Sequence, residues 1–176
     1  SDGGLDSETG LRSMTVFERD LKREIERLAR SKNPFCLAAV TIDYMGEETE
    51  ETLMSEVVQK AAEGVLECLR TFDDAYRKGP YQFILSLKNT DYPGANAAIN
   101  RINRYFKNEN MVFDDQGTKR VVSISCAISE VLPTDNPNEL VDNLMADCLK
   151  NAEEPGTVLQ FQELSQLQRF VKKIGD

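Results

Sequence analysis

The fold is decided by residues 75–87, which read AYRKGPYQFILSL. This stretch predicts a β-hairpin with a first strand, a turn at Lys78-Gly79-Pro80, and a second strand that ends in an apolar run. A hairpin joins antiparallel strands, whereas parallel strands need long crossover connections. We therefore expect a mixed sheet with helices packed on it, an α+β domain, and not a doubly wound parallel sheet.

Helical and strand patterns alternate on both sides of the hairpin. The predicted amphipathic helices have apolar side chains at helical spacing, and they are residues 15–30, 53–69, 95–106, 138–152 and a tail helix at 165–174. The other predicted strands are residues 35–42, 121–131 and 158–161. The continuous apolar run at 35–42 is typical of a central strand.

Composition and charge exclude several classes of function. The chain has 176 residues, which suits one domain with a single core. It carries 21 Lys and Arg against 30 Asp and Glu, and the net charge of −9 argues against a face that binds polymeric nucleic acid. The sequence contains no histidine, so histidine metal sites and Ser-His-Asp triads are excluded.

The cysteines indicate a reducing compartment. Cys36, Cys68, Cys126 and Cys148 lie in apolar stretches and form no CxxC pair. Since this is typical of buried, reduced thiols, we expect a cytoplasmic domain, either alone or as the cytoplasmic part of a membrane-bound protein. We see no apolar run of membrane-spanning length in this sequence and expect no direct membrane contact of the domain. Residues 1–4 are expected to be a remnant of cloning or a linker.

Six short motifs occur in an order that resembles one family. They are LDSETGL at 5–11, VTID at 40–43, LRTFD at 69–73, GPYQF at 79–83, SISCAIS at 123–129 and a helix with its glycine at 146–156. Together they resemble the GGDEF (diguanylate cyclase) family over residues 5–161. The resemblance implies a central, mainly antiparallel sheet flanked by helices, with a ferredoxin-like core as in nucleotide cyclases. Residues 5–163 would form this domain, and residues 164–176 a tail helix or linker.

The residues that this family uses for catalysis are replaced. Active members of the family condense two GTP molecules into cyclic di-GMP with the help of Mg²⁺. The family holds this ion with one carboxylate at the end of the strand that corresponds to residues 35–42 and one in the signature turn, which corresponds to residues 79–83. Thr41 stands in place of the first carboxylate, and Tyr81 and Gln82 replace the acids of the turn. Pro80 replaces the second glycine, which removes an N–H group and adds bulk. We expect a degenerate domain without cyclase activity and without bound Mg²⁺.

Two further positions disfavour a bound triphosphate. Residues 46–51 read GEETEE where the resemblance implies guanine contacts, and carboxylates there repel phosphate. A solvated acidic loop is the simpler interpretation of this segment. Glu153 stands where the resemblance implies a phosphate-contacting lysine. Residual GTP binding without turnover is the weakest of the functional alternatives.

An R-x-x-D motif is retained at Arg70 and Asp73, five residues ahead of the signature turn. The resemblance implies that this is the inhibitory product site of the family, completed by Arg101 on the next helix. Arginine can pair with phosphate or with guanine O6 and N7, and aspartate can accept from guanine N1–H and N2–H₂. Arg70, Asp73 and Arg101 are therefore the predicted residues for cyclic di-GMP.

A structural interpretation of the same residues stands beside this one. Arg70 suits a helix end, and it can form a surface ion pair with Asp73 that contributes under ~1 kcal/mol. Arg101 belongs to a basic helix face with Arg104 and Lys107. Two functional hypotheses follow. The domain either senses cyclic di-GMP and relays it to another domain of its parent protein or to a homodimer partner, or it is a ligand-free dimerisation or interaction module.

Overall fold

The computed structural model describes residues 3–43, 51–108, 111–113, 119–121 and 123–151. Its elements in chain order are β1 (Arg12–Ser13), a 3-10 turn (Met14–Val16), α1 (Phe17–Ser31), β2 (Cys36–Asp43), α2 (Glu51–Cys68), β3 (Asp74–Gly79), β4 (Gln82–Leu87), α3 (Tyr92–Asn108), β5 (Met111–Phe113), β6 (Lys119–Val121), β7 (Ser123–Glu130) and α4 (Pro137–Asn151). The predicted strand at 158–161, the tail helix at 165–174, Glu153 and most of the acidic loop lie outside the described residues.

Five strands form one mixed sheet in the order β1-β3-β4-β2-β7. The short β1 pairs with β3 in parallel, and the other three pairings are antiparallel. The strands β5 and β6 form a separate antiparallel pair. The expected α+β domain with a mainly antiparallel sheet is confirmed.

The hairpin β3–β4 has its turn one position later than predicted. Gly79 still pairs with Gln82 in the ladder, so Pro80 and Tyr81 form the two-residue turn. Proline has no N–H to donate to a ladder, and its fixed φ suits a turn position. The register shifts between Arg77 and Gly79, which marks an irregularity at the end of β3.

The core has two layers, one on each face of the sheet. The side chains of Cys36, Ala38 and Val40 in β2 pack with α2 and α3, whereas Leu37 and Ala39 pack with α1 and α4. These five residues are fully buried. Because β2 lies between β4 and β7 and is covered on both faces, it reads as a continuous apolar run in the sequence.

The cysteines lie in this apolar environment. All four are free thiols, and three of them are buried. Burial raises the pKa of the Cys148 thiol to about 11. Within the part of the chain that the structure describes, none of the helices is both long and apolar enough to span a membrane.

Candidate ligand site

The R-x-x-D motif forms a tight turn between α2 and β3. The Asp73 amide donates to the Arg70 carbonyl at 3.0 Å, which closes the turn. This turn lies beside the segment that leaves β4 at Lys88 and reaches α3 after Thr90. Since α3 carries Arg101, the end of α2 and the body of α3 meet around one site.

The Arg70 guanidinium is held in a fixed position by hydrogen bonds. Its Nε donates to Asp73 Oδ2 at 3.0 Å, and its Nη2 lies 3.1 Å from Asp73 Oδ1, which makes a bidentate ion pair. Nη2 also lies 2.8 Å from the Lys88 carbonyl oxygen and 2.6 Å from Thr90 Oγ1. The ring of Phe72 is 4.5 Å from the guanidinium carbon, which adds a cation–π contact.

The Asp73 carboxylate accepts four hydrogen bonds. Oδ2 accepts from the Arg70 amide at 3.0 Å and from Arg70 Nε, and Oδ1 accepts from the Lys88 amide at 3.2 Å and from Arg70 Nη2. The Asp73 side chain is only 3% exposed, whereas the Arg70 side chain is 43% exposed. A buried carboxylate needs such donors, because leaving it unpaired is costly.

Arg70, Asp73 and Arg101 line the same open depression, which has a volume of about 340 Å³. Arg101 is exposed, and its Nη2 donates to the Cys68 carbonyl at 3.2 Å. The structure thus brings the three predicted residues together. It also contains the Arg70–Asp73 ion pair of the structural interpretation.

Three contributors to this site were missed by the sequence analysis. The Thr90 hydroxyl and the Lys88 main chain reach Arg70 from the far end of the hairpin, and no spacing in the sequence marks them. Phe72 lies inside the motif, and its ring could have been expected near Arg70 from that proximity alone.

The signature turn lies against the end of β2. The Ile42 amide donates to the Tyr81 carbonyl at 2.9 Å. The Thr41 hydroxyl is 3.2 Å from Cys148 Sγ, and the buried Asp43 carboxylate accepts from Ser125 Oγ at 2.5 Å. The strand end and the turn are therefore adjacent.

The N-terminal lead-in is tied to the signature turn by Arg77. Its Nη1 is 3.1 Å from Asp6 Oδ2 and 2.7 Å from Glu8 Oε1, while its Nε and Nη2 donate to the carbonyls of Gly79 and Pro80 at 3.3 and 3.1 Å. The arrangement fixes the turn's backbone to the start of the domain.

Two carboxyl pKa values reflect these contacts of the lead-in. A hydrogen bond from Ser55 and then the Arg77 guanidinium lower the pKa of Glu8. Burial alone would raise the pKa of Asp6, but hydrogen bonds from Thr9 and the contact with Arg77 lower it overall. Both carboxylates are thus favoured in their charged forms.

A family model described as "Diguanylate cyclase, GGDEF domain" matches residues 4–156. The chain belongs to the GGDEF domain family. No curated protein matches this GGDEF domain. The solved structures described below are only 15–20% identical to this chain, so their similarity to it is one of fold.

Three solved structures illustrate that relation. The GGDEF domain of DgcB from Caulobacter crescentus, in complex with c-di-GMP, is 15% identical with a TM-score of 0.80, over 90% of this chain and 93% of that chain. The diguanylate cyclase SiaD from Pseudomonas aeruginosa, in complex with its activator SiaC, is 20% identical with a TM-score of 0.79, over 89% of this chain. The match covers only 61% of the SiaD chain. The FimX GGDEF domain from Pseudomonas aeruginosa is 18% identical with a TM-score of 0.73, over 89% and 98%.

Proposed function

We propose that this GGDEF domain is a catalytically inactive receptor for cyclic di-GMP. The ligand binds in the depression lined by Arg70, Asp73 and Arg101, and its binding is passed to a neighbouring domain of the parent protein or to a homodimer partner. The proposal is carried by one observation: two arginines line a single depression in a chain of net charge −9.

The chemistry of the depression suits this ligand. Cyclic di-GMP carries two phosphodiester charges and two guanines, and arginine pairs with phosphate or with the guanine O6 and N7 atoms. Arg70 is already oriented by its contacts, so little of its side-chain freedom remains to be lost on binding. The complex of the DgcB domain with c-di-GMP supports the idea that this fold can accommodate the ligand.

The proposed inactivity rests on the groups at the signature turn. Mg²⁺ prefers carboxylate oxygens, but the position at the end of β2 where the family supplies a metal-binding acid holds Thr41, whose hydroxyl lies 3.2 Å from Cys148 Sγ. The carboxylate at this strand end, Asp43, is buried and accepts a hydrogen bond from Ser125 Oγ. On the turn, Tyr81 and Gln82 supply no carboxylate, and Pro80 supplies no backbone N–H. These donors do not fit a magnesium ion, so we propose that the domain functions without Mg²⁺.

We further propose that the domain is cytoplasmic and acts on another protein domain. The free thiols support a reducing, cytoplasmic compartment. The signal would be relayed to another domain, and the complex of SiaD with its activator SiaC is an example of protein binding by a related chain. Relay by such contacts requires only that the ligand binds one arrangement of domains better than another.

Isothermal titration with cyclic di-GMP tests the binding. Arg70→Ala and Arg101→Ala should each weaken it by roughly 10- to 150-fold if charge-assisted hydrogen bonds are lost. Arg104→Ala is the matched control, because Arg104 is also exposed on α3 but does not line the depression. Unchanged affinity in Arg70→Ala and Arg101→Ala would place the ligand elsewhere, and no heat with the unmodified domain would favour the ligand-free interaction module.

A further inference from the structure

We propose that the ligand depression continues into a groove beside it, and that Lys32 in this groove binds the phosphate of the ligand's second nucleotide. The groove has a volume of about 700 Å³ and lies between the end of α1 and the start of α3. The inference rests on the proposed function, which places the ligand against Arg70 and Arg101. It adds a third cation, which lies outside the R-x-x-D motif and its partner on α3.

The depression and the groove meet at one wall. Pro34 and Asp91 line both of them. The Thr90 amide donates to the Pro34 carbonyl at 2.8 Å, which holds the two segments of this wall together. A ligand that lies over the wall can therefore contact both spaces.

The size of the depression is the reason for extending the site. Its volume of about 340 Å³ is close to the lower end of the range of ~300–1,000 Å³ that is usual for sites of small molecules. Cyclic di-GMP contains two complete nucleotides, so we expect part of it to lie outside that space. The groove is the adjoining space that can take this part.

The walls of the groove suit a nucleotide. Pro93 and Pro133 supply apolar surface that a base can cover. Asp91 and Glu130 also line the groove, and carboxylates can accept from guanine N1–H and N2–H₂ but repel phosphate. A phosphate in this groove therefore needs a cation, and Lys32 is the cation that the described residues place there.

The backbone of Lys32 supports a role for its side chain. Lys32 ends α1 in a left-handed conformation, with φ 63° and ψ 7°, and its amide donates to the Leu28 carbonyl at 3.0 Å. Glycine is the usual residue at such a helix end, because a side chain in this conformation costs free energy. Within the described part of the chain, the ion pairs of α1 do not include Lys32. The exposed Lys32 side chain thus keeps a cation at the groove where glycine would be less strained.

Lys32→Gly separates the charge from the conformation. Because glycine adopts the left-handed region without strain, this variant should keep or raise the Tm measured without ligand. In isothermal titration it should bind cyclic di-GMP about 3- to 10-fold more weakly, since one charged contact is lost. Lys32→Arg, which keeps the cation, should bind within about twofold of the unmodified domain.

Arg30→Ala is the matched control, because Arg30 is also an exposed cation near the end of α1 but lines neither the depression nor the groove. It should change the affinity by less than about twofold. Unchanged affinity in Lys32→Gly, or an equal loss in Arg30→Ala, overturns the inference alone when Arg70→Ala and Arg101→Ala still weaken binding. If cyclic di-GMP gives no heat with the unmodified domain, the proposed function fails together with the inference.

Discussion

The Arg77 guanidinium lies 2.7 Å from the Glu8 carboxylate, and this pair joins the N-terminal lead-in to the hairpin that carries the signature turn. The Arg77 side chain is only 18% exposed, and it also pairs with Asp6 and two carbonyls of the turn. Removal of one partner from such a network leaves several polar groups without partners. The pair is therefore expected to contribute to stability as well as to the shape of the turn.

Arg77→Met should lower the free energy of unfolding by about 1–3 kcal/mol, because the carboxylates and carbonyls lose a common donor. Urea unfolding at neutral pH measures the change. Lys22→Met is the matched control, since it removes an exposed i,i+4 ion pair with Glu18 and should change stability by less than about 0.5 kcal/mol. Equal effects of the two substitutions would contradict the coupling of lead-in and turn.

Acid should remove the stabilisation that comes from the contacts of Arg77 with Asp6 and Glu8. The pKa values of Asp6 and Glu8 are lower in the folded protein than their ordinary values. The stabilisation by these two carboxylates is therefore fully present above about pH 4–5, and it is lost as the pH falls through their lowered pKa values in the folded protein.

Urea unfolding of the unmodified protein and of Arg77→Met across this pH range measures the effect. The stability difference between the two proteins should shrink as the pH falls, because protonation removes the partners of Arg77. A difference that stayed constant down to about pH 3 would show that the Arg77 contacts do not depend on carboxylate charge.

Many helices and strands could be predicted because the side chains that they bury leave a regular pattern of apolar residues in the sequence. The apolar run that became β2 is covered on both faces by helices, and the amphipathic segments became α1 to α4. The hairpin turn was placed one residue early, because the ladder pair between Gly79 and Gln82 depends on register and not on which residues favour turns. Register is set by pairing across strands, which one segment of sequence does not contain.

The candidate site was predictable in its residues but not in its geometry. The resemblance to the GGDEF family, through the R-x-x-D motif and the position of Arg101, pointed to three residues that line one depression. The contacts of Lys88 and Thr90 with Arg70 arise where the end of β4 meets the turn after α2, and they are tertiary contacts. The four hydrogen bonds that Asp73 accepts also depend on these contacts, so only the structure shows them.

The domain should produce no cyclic di-GMP from GTP and Mg²⁺, because Thr41 and Tyr81 provide no carboxylate to hold the ion. Chromatographic separation of nucleotides after prolonged incubation measures product, and an active diguanylate cyclase assayed in parallel provides the positive control. Product formation that depends on Mg²⁺ would overturn the proposed inactivity. GTP-dependent heat without product, equal with and without Mg²⁺, would instead support residual nucleotide binding.

Thermal unfolding distinguishes a receptor from a ligand-free interaction module. A ligand at 100 times its Kd stabilises the folded state by about 2.7 kcal/mol, which raises the Tm of a domain of this size by about 5–10 °C. We expect this shift with cyclic di-GMP in the unmodified domain and in Arg104→Ala, and a much smaller shift in Arg70→Ala at the same concentration. Because Arg70 also forms an ion pair with Asp73, its replacement can change the Tm without ligand, so the ligand-free Tm of each variant is the reference. A fold kept only for its protein contacts would show no shift in any of the three proteins.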